Sequence, residues 1–111
     1  MDYISKYDRA ATDDDIRLIY PQSYINYLHK LWPEGETRVS IPLSDSYCSQ
    51  HTETAARISA GGVLEGIDQV ISGAWSRGFC VVRPPGHHSG EKGKINGFCV
   101  LNNVALGAKY L

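Results

Sequence analysis

The sequence predicts an α/β domain, and the prediction depends on a long helix, a short strand and the turn that follows the strand. An amphipathic helix is predicted from Thr52 to Gly73, and the apolar run from Gly78 to Val82 is typical of a short buried strand. That run ends at Pro84-Pro85-Gly86, which forces a turn, and two histidines follow directly. Because ligands of open α/β sheets bind where strands end, this turn is the predicted functional site.

Length, charge and cysteine content narrow the classes of protein to consider. A chain of 111 residues forms at most one small domain, and a formal net charge of −1 argues against a general surface for nucleic acid or anionic membrane. Three cysteines without a C-x-x-C pair argue against a disulfide framework, and we expect small buried thiols in a reducing compartment. With no long apolar run and no signal pattern at Met1 to Tyr3, we expect a soluble intracellular chain.

Two short helices are predicted near the N-terminus. Thr12 is a predicted N-cap, and the acidic residues Asp13 to Asp15 favour the positive end of a helix that Pro21 ends. Ser23 is the predicted N-cap of a second helix, which continues at near-helical spacing to Pro33.

Residues 33–46 are predicted to form a loop with one short extended stretch. The helix from Thr52 follows, and Gly73 suits the position after its C-cap. Glycines within this helix predict close packing of another backbone: Gly61, Gly62 and Gly66. A last amphipathic helix is predicted from Val100 to Leu111.

Paired histidines are the residues most suited to chemistry. Neighbouring side chains diverge in regular structure, but after an irregular turn His87 and His88 can converge, so that one ring takes a proton while the other orients water. Phe98, preceded by Gly97, can supply an apolar wall. Two alternatives remain: an exposed surface pair, or a metal site with Cys99 whose spacing fits no common zinc pattern. The other histidines, His29 and His51, are predicted to be structural or solvated.

Two segments, Arg83 to His88 and Asn96 to Ala105, resemble the zinc-dependent histone deacetylase family and in particular its class II branch. The acidic N-terminal helix and the glycine-rich helix also fit, so the resemblance covers residues 11–111. It implies a single three-layer α/β/α domain with a mainly parallel sheet, as in arginase. In that interpretation, residues 1–111 are the N-terminal portion of the domain, truncated at both ends and with an incomplete sheet.

The resemblance implies a role for each matching residue in hydrolysis of an acetyl-lysine amide. His87 would orient the attacking water electrostatically, and His88 would act as general base and then as general acid. Gly97 and Phe98 would line the narrow tunnel for the acyl-lysine stem. Asp45 would be the acidic residue at the tunnel rim, on a looser alignment.

The resemblance also implies a zinc cofactor, but its ligands are expected beyond Leu111, because this sequence contains no Asp-x-His run. We therefore expect residues 1–111 to be inactive alone and to bind zinc no better than a control protein. Implied partners are acetylated lysines of histones or other proteins and corepressor-type proteins, with no direct nucleic-acid or membrane contact. The resemblance also implies a role in chromatin regulation and a location in the nucleus and/or cytoplasm. Two alternatives stay open: a non-catalytic interaction fragment, and a deacetylase of acetylpolyamines or small acetyl amides.

Overall fold

The computed structural model describes residues 7–90 and 92–111, so Met1 to Tyr3, used above to judge a signal sequence, lie outside the described part. The regular elements of these residues are four helices and a two-stranded antiparallel sheet. Their bounds are α1 (Asp13–Ile16), α2 (Gln22–Leu31), β1 (Val39–Ser40), β2 (Tyr47–Cys48), α3 (Thr52–Ile71) and α4 (Asn103–Tyr110). No helix in this part of the chain is long and apolar enough to cross a membrane.

Helix α1 begins as predicted, with Thr12 as its N-cap in a capping box. The Thr12 hydroxyl accepts from the Asp15 amide at 3.1 Å, and the Asp15 carboxylate accepts from the Thr12 amide at 2.9 Å. The prediction of Ser23 as the next N-cap is wrong, because α2 already begins at Gln22 with Pro21 as its N-cap. The helix therefore begins two residues earlier than predicted, after a proline that has no amide hydrogen in need of a partner.

Helix α3 matches its prediction. It begins at Thr52, and Gly73 lies just beyond its C-cap with φ of +81°, a left-handed conformation that favours glycine. Its buried face packs into a core formed with α1, α2 and α4. The fully or nearly fully buried apolar side chains of that core include Ile16, Ile25, Leu28, Ala56, Ala60, Leu64, Leu101 and Leu106.

The prediction that glycines of α3 mark a close backbone contact is confirmed at Gly61. A Cβ atom there would lie 1.9 Å from the carbonyl oxygen of Arg9, so the N-terminal segment crosses the helix at van der Waals distance. Gly62 and Gly66 instead face side chains, with Val82 and Cys80 at 3.2 and 3.3 Å from their Cβ positions.

The prediction of a buried strand at residues 78–82 is wrong for the described structure. Phe79 is 92% exposed and Val81 89% exposed, and Cys80, predicted to be a buried thiol, is exposed as well. A buried strand needs neighbouring backbone to bond with and layers on its faces. The described residues supply no backbone partner for this segment, so it does not form a strand.

The sheet that is present is small and antiparallel. Val39 pairs with Cys48 and Ser40 with Tyr47, which confirms one short extended stretch between residues 33 and 46. The expected mainly parallel, three-layer arrangement is not seen in residues 7–90 and 92–111. The last helix starts at Asn103, later than predicted, because the Asn102 side chain caps it by accepting from the Ala105 amide at 3.0 Å.

Candidate active site

The turn before the histidines is fixed between α3 and the start of α4. The Pro84 carbonyl accepts hydrogen bonds from the Ser59 hydroxyl at 2.8 Å and from the Asn103 side-chain amide at 3.4 Å. Gly86 is buried, and a Cβ atom there would lie 2.2 Å from the Leu101 carbonyl oxygen. The turn therefore needs glycine for close approach and holds the next two residues at a defined place.

His87 and His88 lie side by side. Their ring centroids are 4.3 Å apart and the ring planes are inclined by 48°. Both side chains are exposed in the described structure. The irregular turn thus brings neighbouring imidazoles together, as its sequence indicates, and does not direct them to opposite sides.

Ser89, the next residue, belongs to a buried network of polar groups. Its hydroxyl lies 2.6 Å from the Tyr20 hydroxyl and donates to the Val100 carbonyl at 3.0 Å. Tyr20 accepts from the Asn102 amide at 2.8 Å, and Tyr24 donates to the same Val100 carbonyl at 2.5 Å. These bonds fix the backbone immediately after His88.

Burial explains the protonation of the two tyrosines in this network. Desolvation raises the pKa of Tyr20 and, more strongly, that of Tyr24 above the ordinary value of 10.0. A phenol is already protonated at neutral pH with its ordinary pKa, and burial extends this state of both hydroxyls to higher pH. The sequence gives no sign of this network, since a Tyr at helical spacing carries no signal for a hydroxyl partner about seventy residues away.

The Gly97-Phe98 turn lies against the second histidine. A Cβ atom at Gly97 would be 2.5 Å from Cδ2 of His88, so the ring packs on the glycine backbone. Gly97 and Phe98 have φ of +53° and +64°, and Asn96 bonds to Cys99 on either side of them. Phe98 is 66% exposed, as a residue on the wall of an open site would be.

Asp45 contacts this turn from the loop between β1 and β2. Its Oδ1 accepts from the Gly97 amide at 2.9 Å and from the Ser46 hydroxyl at 3.0 Å. These two bonds, the amide first, hold the pKa of the Asp45 carboxyl below its ordinary value of 3.8, and His88 acts in the same direction. The structure thus gathers His87, His88, Gly97, Phe98 and Asp45 into one region, although their chain positions span 53 residues.

Phe98 also lines a cavity of about 410 Å³. Its walls are largely apolar, and neither His87 nor His88 lines it. Its lining residues are Ile41, Ser46, Tyr47, Thr52, Ala55, Arg83, Pro84, Ile95, Phe98 and Val100. The role of Phe98 in a tunnel shared with the histidines therefore stays a prediction.

The described residues do not form a metal site. Among residues 7–90 and 92–111, no group of three or more His, Cys, Asp or Glu side chains is arranged to hold a metal ion. The alternative of a site made by His87, His88 and Cys99 is therefore wrong: the Cys99 thiol is buried and donates to the Gly97 carbonyl at 3.3 Å. Zinc therefore fits no cluster of side chains in this part of the chain.

The two remaining histidines lie away from the turn. His29 lies on α2, with its ring nitrogens 3.7 Å from a Glu53 oxygen and 4.0 Å from an Asp13 oxygen. His51 is 3.4 Å from the Glu36 carboxylate and largely exposed. Both have the surface environments that the sequence indicated.

Comparison with known proteins agrees with this arrangement. Over 103 residues the chain is 39% identical to the polyamine deacetylase HDAC10 of Mus musculus, covering 90% of this chain and 15% of that protein. Histone deacetylase 5 of Arabidopsis thaliana is 31% identical over 105 residues, covering 91% and 15%. The crystal structure of the HDA15 HD domain superposes with a TM-score of 0.78 and 26% identity, covering 95% of this chain and 29% of that one.

The likeness to the HDA15 HD domain gives the class: the fold is that of part of a deacetylase domain. The family model for the histone deacetylase domain matches residues 2–111. The chain belongs to the histone deacetylase family, whose members are hydrolases. It spans about 15% of the length of HDAC10-type relatives.

Proposed function

We propose that this chain supplies the paired histidines and part of the substrate wall of a deacetylase, which hydrolyses the acetyl amide of an acetylated amine. The observation that carries the proposal is the pair of imidazoles 4.3 Å apart on a turn held at both ends by hydrogen bonds. Family membership supplies the reaction class. An imidazole titrates near neutral pH and is therefore suited to move a proton between water and an amine.

In this mechanism the two rings have different tasks. His88, supported by Gly97 on one face, takes a proton from water and returns it to the leaving amine. His87 lies beside it, orients the water and stabilises charge electrostatically. The zinc ion that the family uses would polarise the acetyl carbonyl and acidify the water when bound. Because the described residues form no cluster that could hold a metal ion, its ligands would have to include other residues.

The proposed substrates are acetylated lysines of histones or other proteins. A second candidate is an acetylpolyamine, which the similarity to the polyamine deacetylase HDAC10 of mouse and human favours. Corepressor-type partners, a role in chromatin regulation and a nuclear or cytoplasmic location belong to the same proposal. A non-catalytic interaction role is the competing hypothesis.

The test measures acetate release by the full protein that carries this sequence. Acetyl-lysine peptide and an N-acetylpolyamine are offered separately to the parent protein and to the variants H87A, H88A and H51A. We expect H88A to lose about 10²–10⁴-fold in kcat, the usual contribution of a general base. H51A is the matched control, because His51 is an exposed histidine bonded to Glu36, and it should retain full activity.

The relative kcat/KM of the two substrates distinguishes the protein-lysine function from the polyamine function. Equal activity of H88A and H51A would contradict the role of the histidine pair. No acetate release from either substrate by a folded parent protein would favour the non-catalytic alternative.

A further inference from the structure

Two successive side chains hold two successive amides across the site. Asp45 Oδ1 accepts from the Gly97 amide at 2.9 Å, and the Ser46 hydroxyl oxygen accepts from the Phe98 amide at 3.0 Å. The Ser46 hydroxyl in turn donates to Asp45 Oδ1 at 3.0 Å, which closes the set. We call these three bonds the Asp45-Ser46 clasp.

The turn that the clasp holds has an unusual backbone. Positive φ at both central residues, +53° at Gly97 and +64° at Phe98, is the sign pattern of a type I′ turn. Glycine adopts this region readily, but a bulky residue such as Phe98 does so only where the surroundings determine it. Successive amides in such a turn point to one side, where a carboxylate and a hydroxyl oxygen are suitable acceptors.

The Gly97-Phe98 turn connects the clasp to the histidine pair. The His88 ring lies on the Gly97 backbone, with Cδ2 and Cγ at 2.5 and 2.9 Å from where a Cβ atom would be. Phe98 follows directly and carries the exposed ring. A displacement of the Gly97 backbone therefore moves the surface on which the His88 ring packs, and it also moves the backbone that carries the Phe98 ring.

We infer that Asp45 and Ser46 are positioning residues of this site, which fix the Gly97-Phe98 turn and through it the ring of His88. The catalytic consequence depends on the proposed function, whereas the structural consequence does not. For Asp45 this role differs from direct substrate contact at a rim. Ser46, with a relative exposure of 1%, is joined to the turn by its bond from the Phe98 amide.

The ionisation of Asp45 is consistent with the clasp. Its pKa lies below the ordinary value because it accepts the Gly97 amide and the Ser46 hydroxyl, and His88 is the titratable neighbour that contributes. Near neutral pH the carboxylate is a charged acceptor, which strengthens the bond from the amide.

The first experiment measures hydrogen exchange of the Gly97 and Phe98 amides by NMR in the folded chain. Asp45→Ala should accelerate exchange at Gly97, and Ser46→Ala should accelerate it at Phe98, each by about tenfold or more. Both variants should also shift the His88 ring resonances. Asp45→Asn keeps an acceptor oxygen and should restore most of the protection. Asp14→Ala, at an exposed carboxylate that pairs only with Arg17 here, is the control and should change neither amide.

The second experiment measures kcat and KM of the same variants in the full protein. If the clasp positions His88, kcat of Asp45→Ala and Ser46→Ala falls about 10²-fold, the effect of a displacement of about 1 Å, while KM changes little. A rise in KM with unchanged kcat would assign Asp45 to substrate binding alone and overturn the inference. Unchanged exchange at both amides would also overturn it. Exchange is measured without turnover, so a protein without deacetylase activity would refute the proposed function and leave the exchange result decisive for the clasp.

Discussion

At Gly97, the backbone conformation and the available space both exclude a side chain. Its φ of +53° is disfavoured for other residues, and a Cβ atom would lie 2.5 Å from the His88 ring. We predict that Gly97→Ala displaces His88 and costs about 1–3 kcal/mol in the free energy of unfolding, the range for overpacking. Denaturant unfolding measures the cost, and the ¹³C shifts of the His88 ring report the displacement.

Gly90→Ala is the matched control, in the loop that joins His88 to the turn. Apart from its chain neighbours, no described residue lies within 4 Å of its Cβ position, and its φ is not in the left-handed region, so both readouts should match those of the parent protein. A Gly97→Ala variant with unchanged stability and unchanged His88 shifts would contradict the packing of this ring on the glycine.

At the same scale, residue type predicts some members of the site and misses others. The histidine pair, Gly97 and Phe98 are visible in the sequence because the turn residues beside them restrict the backbone. Ser46 and Tyr20 are not, since a serine or tyrosine acts here through hydrogen bonds to segments about fifty to eighty residues distant. Nothing in local composition encodes such a partner.

Among the elements, helix α3 contains two glycines whose substitution by alanine should affect stability in opposite directions. Gly61 lies where a Cβ atom would be 1.9 Å from the Arg9 carbonyl oxygen, a backbone atom that cannot rotate away. We predict that Gly61→Ala destabilises the fold by about 1–3 kcal/mol, as overpacking does. Thermal or denaturant unfolding followed by circular dichroism measures the loss.

Gly66→Ala is the comparison within the same helix. Its Cβ position is 3.3 Å from the sulfur of Cys80, the end of an exposed side chain that can rotate. Here the gain in helix propensity, about 0.5–1 kcal/mol, should offset the contact and leave stability equal or higher. If Gly61→Ala were as stable as Gly66→Ala, the N-terminal segment would not cross α3 as described.

The elements also differ in how far their sequences determine them. Helices carry their own signals: the N-cap at Thr12, the apolar face of α3 and Gly73 after its end are all local, and all are confirmed. A strand depends on a partner. The apolar run at residues 78–82 therefore predicts a segment that other parts of a protein should bury. The described residues do not bury it, and Phe79 and Val81 stay exposed.

For the molecule as a whole, charged contacts join the N-terminal segment to α3 and α4. Arg9 donates to Asp68 at 2.7 Å and to Glu65 at 3.2 Å, and Tyr110 donates to the Asp68 carboxylate at 2.9 Å. Segments from both ends of the chain thus meet at one carboxylate on α3. The bond from Arg9, and next that from Tyr110, lowers the pKa of Asp68 below its ordinary value of 3.8.

This shift predicts how the stability of the fold depends on pH. A carboxyl whose pKa is lower in the folded than in the unfolded state stabilises the fold above the unfolded value, and the contribution is lost as pH falls through the folded value. We therefore expect Asp68→Asn to lower Tm at pH 7 and the difference from the parent protein to shrink as pH falls below 3.8. Other carboxyls, including Asp13 and Asp45, are present in both proteins and cancel in this difference.

Asp14→Asn, at a carboxylate whose side chain is 94% exposed, should show almost no difference at either pH. A Tm difference for Asp68→Asn that stayed constant from pH 7 to pH values well below 3.8 would show that the ionised form of this carboxyl does not hold the two ends of the chain to α3.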